Sequence, residues 1–381
     1  MKTEEYIKSL QFLPLRGRST RRIVIAGGGT GGHIFPAIAI ANAIRAQRQD
    51  VEILFVGAKG KMEMQKVPEA GYKIVGLYIA GYNRSSLFKN VALPFKLAKS
   101  FFQVTQVLKN FMPDAVIGVG GYSSFPVLRL SQTRNIPTFI LESNSMPGKS
   151  NILLAKRATR IFVASYGMDK YFPPEKILMT GNPVRNVFSD KVISQKEAKE
   201  FFGLKDGVKT IFVMGGSLGA RSINEAVEGN INFFKEHNLQ LIWQTGKLYA
   251  KDAARVEEER DNVWSNSFID KMEYAYAAAD VVVSRAGAMA IAELCVVGKP
   301  VIFVPYPFAS EDHQSANATE LVNKKAALIV KDDEAKTKLF DTILNLVNDE
   351  VKMNELRNNI LELSNTNADE IIAAEILKHL K

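Results

Sequence analysis

With one cysteine in 381 residues, the chain cannot form an internal disulfide, which suits a reducing compartment. That residue, Cys295, lies in the apolar stretch from Ile291 to Val297 and reads as a buried core thiol rather than a nucleophile. Histidine is scarce too: His33, His237, His313 and His379 are too few and too scattered to build a zinc cluster with a single thiol. Nowhere do about 18 apolar residues run together, because Asp280, Arg285, Glu293 and Lys299 interrupt the longest candidate, so no helix is expected to span a bilayer. The opening segment, MKTEEYIKSLQFLPLRGRSTRR, carries acids where an export signal carries bases, and it lacks an apolar core, so export is not expected. Acidic residues are missing altogether from Ala70 to Pro113.

What is present is unevenly spread. Residues 1–183 hold 25 Lys and Arg against 10 Asp and Glu, a net of +15, while residues 184–381 hold 24 against 30, a net of −6. The basic half is expected to meet something anionic. Its acid-free stretch supplies Lys73, Arg84, Lys89, Lys96, Lys99 and Lys109, interleaved with Leu87, Phe88, Leu93, Phe95, Phe101 and Phe102. Cations beside bulky apolar groups suit a helix or loop lying on anionic lipid, with Phe88, Lys89, Phe95, Lys96 and Lys99 as contact candidates. The plainer alternative is a solvated face over a core helix. Nucleic acid is not an expected partner, since neither an aromatic platform nor a groove-reading motif accompanies the charge.

The length exceeds what one core fills, and the chain reads as two similar units. From Arg21, RRIVIAGGGTGGHIFPAIAIANAI is an apolar run, a glycine turn and a helix; from Val208, VKTIFVMGGSLGARSINEAV repeats the pattern. Further apolar runs at 51–56, 115–119, 138–141, 161–164, 239–243, 281–284 and 301–304 alternate with helical patterns, as parallel strands covered on both faces do. The expected fold is α/β, with two Rossmann-like, doubly wound parallel-sheet domains. A flexible tail covers 1–20, a first domain covers 21–183 with the helix at 366–381 packing back on it, and a second covers 184–365. The break falls at Gly181-Asn182-Pro183-Val184-Arg185, where Gly and Pro interrupt structure.

Gly27, Gly29 and Gly32 satisfy G-x-G-x-x-G, but the run at 51–56 is followed by Gly57-Ala58-Lys59-Gly60 rather than by the acid a NAD ribose requires. The Gly-Lys-Ser/Thr of a P-loop is missing as well. What the two loops share is glycine, which lets backbone N–H groups approach phosphate oxygens, ahead of a helix whose positive end points at them. A diphosphate could be held that way without a metal, and no Asp-x-Asp pair is present to bind one. For either loop taken singly, glycines needed only for a tight turn remain the alternative.

Several short motifs occur in order: Gly28-Gly29-Thr30-Gly31-Gly32-His33, Gly120-Gly121-Tyr122, Glu142 with Asn144, Gly181-Asn182-Pro183-Val184-Arg185, Gly215-Gly216-Ser217-Leu218-Gly219-Ala220, Ser284-Arg285-Ala286-Gly287-Ala288, and Glu311-Asp312-His313-Gln314 with Asn317. Together they resemble the family of undecaprenyldiphospho-muramoylpentapeptide β-N-acetylglucosaminyltransferases, over about residues 21–365. The resemblance implies a GT-B fold with two domains facing a cleft. It implies transfer of GlcNAc from UDP-GlcNAc to the C4 hydroxyl of MurNAc in lipid I, with inversion, giving lipid II and UDP for peptidoglycan biosynthesis. A peripheral position at the cytoplasmic face of the membrane follows, with the cell-wall synthesis machinery as a further partner and no obligatory metal cofactor.

Carried over by position, the UDP-GlcNAc site comprises Thr30, Gly31, Gly32, Asn144, Arg185, Ser217, Ile269, the segment Ala288, Met289, Ala290, Ile291, Ala292 and Glu293, and Gln314. Ser217 and neighbouring amides would bind the diphosphate, Glu293 the ribose hydroxyls, the Ile269 backbone the uracil, and Gln314 the sugar hydroxyls. Gly28, Gly29, Gly120, Gly121 and Tyr122 are candidates for the acceptor diphosphate. Leu141 and Ser143 stand where His and Gln are frequent in the family, so no acceptor role is carried to position 141. His33, at a helix start that disfavours imidazolium, is the candidate general base, the alternative being a loop cap or a diphosphate contact.

Overall fold

The computed structural model describes residues 20–81, 93–184, 193–216, 219–258, 260–309 and 312–380. Residues 1–19 of the tail expected over 1–20, with Arg84, Leu87, Phe88, Lys89, Arg185, Ser217, Leu218 and Glu311, lie outside them. The chain divides into two compact units, one ending at Val184 and regained from Asn367 onward, the other running from Arg185 to Thr366.

The runs rich in Val, Ile and Phe form strands because branched and aromatic side chains fit a pleated surface buried on both faces. In the first unit these are β1 (Arg21–Ala26), β2 (Val51–Ala58), β3 (Lys73–Leu77), β4 (Ala115–Gly118), β5 (Thr138–Glu142), β6 (Arg160–Val163) and β7 (Ile177–Met179). They make a parallel sheet in the order β3-β2-β1-β4-β5-β6-β7. Successive residues point to opposite faces. Ile23 and Ile25 join the layer holding helices Gly31–Gln47 and Ala368–Lys378, whereas Val24 and Ala26 join the layer of helices Leu93–Phe111, Ser124–Thr133 and Lys149–Ala155. The C-terminal helix is thus part of the first core, through Ile372, Ala373 and Ile376, and Arg160 ties it down with a 2.9 Å ion pair to Glu375.

The second unit repeats the plan with β8 (Lys209–Met214), β9 (Leu239–Gln244), β10 (Val263–Asn266), β11 (Val281–Ser284), β12 (Val301–Phe303) and β13 (Leu328–Ile329), ordered β10-β9-β8-β11-β12-β13. Here Ile211 and Val213 face one helical layer, Phe212 and Met214 the other. Cys295 is buried in the second layer, and burial pushes its thiol up to about 12, so it stays protonated and inert. Among the described residues no helix is long and apolar enough to cross a membrane.

In each sheet the strand order reverses beside the first strand of the unit, between β1 and β4 and between β8 and β11. At such a switch point the flanking helices leave toward opposite faces, so the loops at the carboxyl ends part and open a crevice. The amino ends of the same strand pairs are pinned alike. Asp114 accepts the Arg22 N–H at 2.7 Å and donates its own N–H to Arg22 O; Asp280 accepts the Thr210 N–H at 2.8 Å and donates its N–H to Thr210 O. An aspartate just before the fourth strand therefore closes the seam below each crevice. Replacing it strands a buried donor: Asp280→Ala should lower stability to urea by about 1–3 kcal/mol, with Asp280→Asn losing less because its amide oxygen still accepts.

Candidate functional site

The first crevice is floored by the glycine turn after β1. Thr30 is the N-cap of the helix Gly31–Gln47 with extended backbone and no side-chain cap, and no acid occupies the first turn, so the helix start is left to polarise whatever lies before it. His33 comes forward from that turn, half-buried, with Nδ1 3.1 Å from Gly28 O and 3.4 Å from Thr30 Oγ1. A carbonyl oxygen only accepts, so Nδ1 carries the hydrogen and Nε2 is the basic nitrogen of the neutral ring. The other edge of the ring lies against Gly120, where a Cβ would stand 2.7 Å from Nε2. Gly121, at φ +81, is equally constrained: a Cβ there would meet Gly28 O at 2.4 Å. The turn after β1 and the turn after β4 are therefore in backbone contact.

Behind this turn is a residue with no apparent task in the sequence. Glu63, 1% exposed, begins the helix Glu63–Glu69 and accepts the Ala58 N–H through Oε1 and the Gly29 N–H through Oε2, both at 2.9 Å. The acid missing from the end of the second strand is thus present a few residues later, aimed at amides rather than at a ribose. The Gly29 N–H, expected to face phosphate, points inward to Glu63, and Gly28, Gly120 and Gly121 are close-packed against one another or His33. Among the described residues, the helix start and Tyr122 also stand at this turn. Burial and then the charge of Glu63 raise the Tyr122 phenol above its ordinary range, so it keeps its proton and can donate.

Asn144 follows β5 at the same carboxyl edge. It is held by Glu142, which is 3% exposed and accepts from Asn144 N at 3.1 Å, Asn144 Nδ2 at 3.3 Å, Gly148 N at 3.0 Å and Asn151 Nδ2 at 2.8 Å. Glu142 is the anchor of this loop, and Asn144 is the residue it presents.

In the second unit the turn after β8 abuts the turn after β9. A Cβ at Gly219, φ +80, would stand 2.2 Å from Thr245 O, and Asn224 Nδ2 donates to the same oxygen at 2.8 Å. Two helices, Arg221–Gly229 and Ala288–Val297, start at this edge with no side-chain cap, after the adjacent strands β8 and β11. Ile269 is buried and its N–H donates to Gln244 Oε1 at 3.1 Å, so its backbone can address a base only through the carbonyl oxygen unless Gln244 lets go. Along the segment 288–293 successive side chains turn away from one another, since it lies in the helix Ala288–Val297. Ala290 and Ile291 pack on the core and the Ile291 N–H bonds Gly287 O. Glu293 is buried and takes a hydrogen bond from Tyr276 Oη at 3.2 Å. Gln314 Oε1 accepts the Tyr306 N–H at 3.0 Å, which directs its NH2 group to any sugar contact.

Arg285 ties these loops together. Its guanidinium donates to Val304 O at 2.9 Å, Pro305 O at 3.1 Å and Ser222 Oγ at 2.9 Å, and pairs with Asp332. It so joins the helix after β8 to the turns after β11 and β12.

Two consecutive Rossmann-like crevices with helix starts suited to anions agree with the comparisons. Residues 23–163 match the glycosyltransferase family 28 N-terminal domain and residues 210–371 its C-terminal domain. The UDP-N-acetylglucosamine–N-acetylmuramyl-(pentapeptide) pyrophosphoryl-undecaprenol N-acetylglucosamine transferase of Bacteroides thetaiotaomicron is 50% identical over 94% of this chain and 97% of its own. The chain belongs to glycosyltransferase family 28. Its fold is GT-B: the crystal structure of MurG from Acinetobacter baumannii superposes with a TM-score of 0.71 at 26% identity, covering 94% of this chain and 99% of that one. A UDP-GlcNAc 2-epimerase from Neisseria meningitidis shares the fold at TM-score 0.66 and 15% identity, covering 94% of this chain and 100% of its own.

The glycine turns were legible in the sequence; the anchoring by Glu63, Gln244 and Tyr276 and the tying role of Arg285 were not, since each acts through a partner distant in the chain. The loop behind Asn144 is open to a direct check. Removing its anchor in Glu142→Ala should speed hydrogen exchange at the Asn144 and Gly148 amides about tenfold or more, with strand β5 unaffected.

Proposed function

We propose that the chain is an inverting N-acetylglucosaminyltransferase that moves GlcNAc from UDP-GlcNAc to the C4 hydroxyl of MurNAc in lipid I, releasing UDP and forming lipid II. The name of the Bacteroides relative supports this reading, and the observation that carries the chemistry is the orientation of His33. With Nδ1–H committed to Gly28 O at 3.1 Å, Nε2 is the nitrogen able to take a proton from the acceptor hydroxyl. The hydroxyl oxygen then attacks the anomeric carbon from the face opposite the diphosphate. The bond from that carbon to the β-phosphate oxygen breaks, and its electron pair leaves with UDP.

The second unit receives that charge. Uncapped helix starts at Arg221 and Ala288 direct amides and positive dipole ends at the diphosphate, and Ser217 adds its hydroxyl. Glu293, oriented by Tyr276, accepts from the ribose hydroxyls; the Ile269 carbonyl meets the uracil; Gln314 donates to the sugar; Arg185, Asn144, Thr30, Gly31 and Gly32 complete the donor contacts. This arrangement needs no obligatory metal. An epimerase of the same fold would consume UDP-GlcNAc without an acceptor, so acceptor dependence separates the two readings. UDP release in EDTA-containing buffer should require a lipid I analogue. His33→Ala should lower its kcat about a hundredfold or more with UDP binding intact, whereas near-normal kcat with a raised acceptor KM would remove the base from His33.

The acceptor is anchored in lipid, and the first unit has a surface to meet it. The helix Leu93–Phe111 buries Val104, Val107, Leu108 and Phe111 in the core but leaves Phe95 78% and Phe102 64% exposed, with Lys96 and Lys99 alongside. Lys99 also lies over the Tyr78 ring, 4.3 Å from its centre. Two aromatic side chains standing in water are better placed in the headgroup region, and each lysine near an anionic surface contributes about 1 kcal/mol. We place this helix on the cytoplasmic leaflet as a peripheral contact, beside the cell-wall synthesis machinery. Sedimentation with vesicles tests it: Phe95→Ser with Phe102→Ser should weaken binding about tenfold or more. Equal binding of the unaltered protein to neutral and anionic vesicles would remove the electrostatic part.

A further inference from the structure

The Gly28–Gly29 peptide group is bonded at both ends to ionisable side chains. Its N–H donates to Glu63 Oε2 at 2.9 Å, and its carbonyl oxygen faces His33 Nδ1 at 3.1 Å. A carboxylate and an imidazole therefore address each other through one amide. Two glycines make room for this: a Cβ at Gly28 would stand 2.3 Å from Glu63 Oε1, and one at Gly57 would stand 2.5 Å from Glu63 Cγ. The first glycine of the G-G-T-G-G-H run thus admits the carboxylate, which tight turning alone does not require.

An anion at the N–H end of a peptide group polarises it and makes its carbonyl oxygen a stronger acceptor, since hydrogen bonds in a chain reinforce one another. A stronger acceptor at Gly28 O favours the Nδ1–H tautomer of His33 and stabilises positive charge on the ring once Nε2 has taken a proton. The start of the helix Gly31–Gln47 acts the other way, disfavouring imidazolium. Two described groups near the ring are uncharged: Thr30 Oγ1 is neutral, and Tyr122, raised by burial and then by Glu63, stays a phenol. Glu63 is an anion bonded to the peptide group that His33 faces, and it can balance the helix start.

We propose that Glu63 is a positioning residue for the transfer reaction, acting through the Gly28–Gly29 peptide to hold His33 in its Nδ1–H form and to stabilise the imidazolium formed at Nε2. The part of Glu63 in the reaction rests on His33 as the base; its effect on the ring does not. The arrangement is comparable to a carboxylate–histidine pair with a peptide group inserted between the members.

Nitrogen-15 NMR of the full chain tests this, with the His33 ring assigned by difference from His33→Ala. The unaltered protein should show the neutral ring as Nδ1–H, and Glu63→Gln should shift the balance toward Nε2–H. The same variant should lose about tenfold or more in kcat, with donor KM and UDP affinity unchanged. A neutral ring in the Nε2–H form in the unaltered protein, or an unchanged balance in folded Glu63→Gln, overturns the proposal. Should Glu63→Gln fail to fold, the unaltered protein decides: protonation of His33 should move the Gly29 amide nitrogen and the Glu63 Cδ resonances, and their indifference counts against it. If the tautomer responds to Glu63→Gln while His33→Ala keeps full kcat, the base reading fails and the effect on the ring stands.

Discussion

A parallel sheet covered on both faces uses its backbone hydrogen bonds internally, so it can offer donors to a ligand only where strands end and helices begin. That constraint decides where this molecule can act. In both units the strand order reverses beside the first strand, and the turns with the tightest glycine packing follow those same strands. The aspartates at 114 and 280 fix the opposite ends of the same seams. Helix starts without side-chain caps supply positive potential at the carboxyl edge.

The two units apply one plan to different tasks. In the first, the glycine turn is closed from behind by Glu63 and from the side by Gly120 and Gly121, and its most exact product is the orientation of one imidazole. In the second, Arg285 and Asn224 tie three turns into a frame around two helix starts. A buried carboxylate lies behind the glycine turn of the first unit, whereas no acid occupies the first turn of either helix in the second.

How much of this could be read from the residues alone follows from where each sits. Strands with both faces buried appear as unbroken apolar runs, and those runs are the central strands. The strands that did not stand out, β3, β7, β10 and β13, are the four sheet edges, where burial is one-sided and a run such as Val263–Asn266 alternates or stops after a few residues. The glycine turns were legible because only glycine permits such close backbone approach. Glu63 was not, since MEMQKVPE reads as an ordinary polar helix and its partners lie in two other segments. The expectation that Gly29 would offer its N–H outward failed for the same reason: glycine composition shows that the backbone comes close, not which group it approaches. The charge imbalance between the halves was plain in the sequence; that Phe95 and Phe102 stand exposed beside the lysines required the fold.

On the proposed function, uncapped helix starts in the second unit hold a uridine diphosphate group without help from a metal. Titration calorimetry of UDP in EDTA tests it most directly. One UDP should bind per chain, with favourable enthalpy, and be displaced by UDP-GlcNAc but not by NAD. No heat with UDP, or preferential binding of NAD, would contradict it.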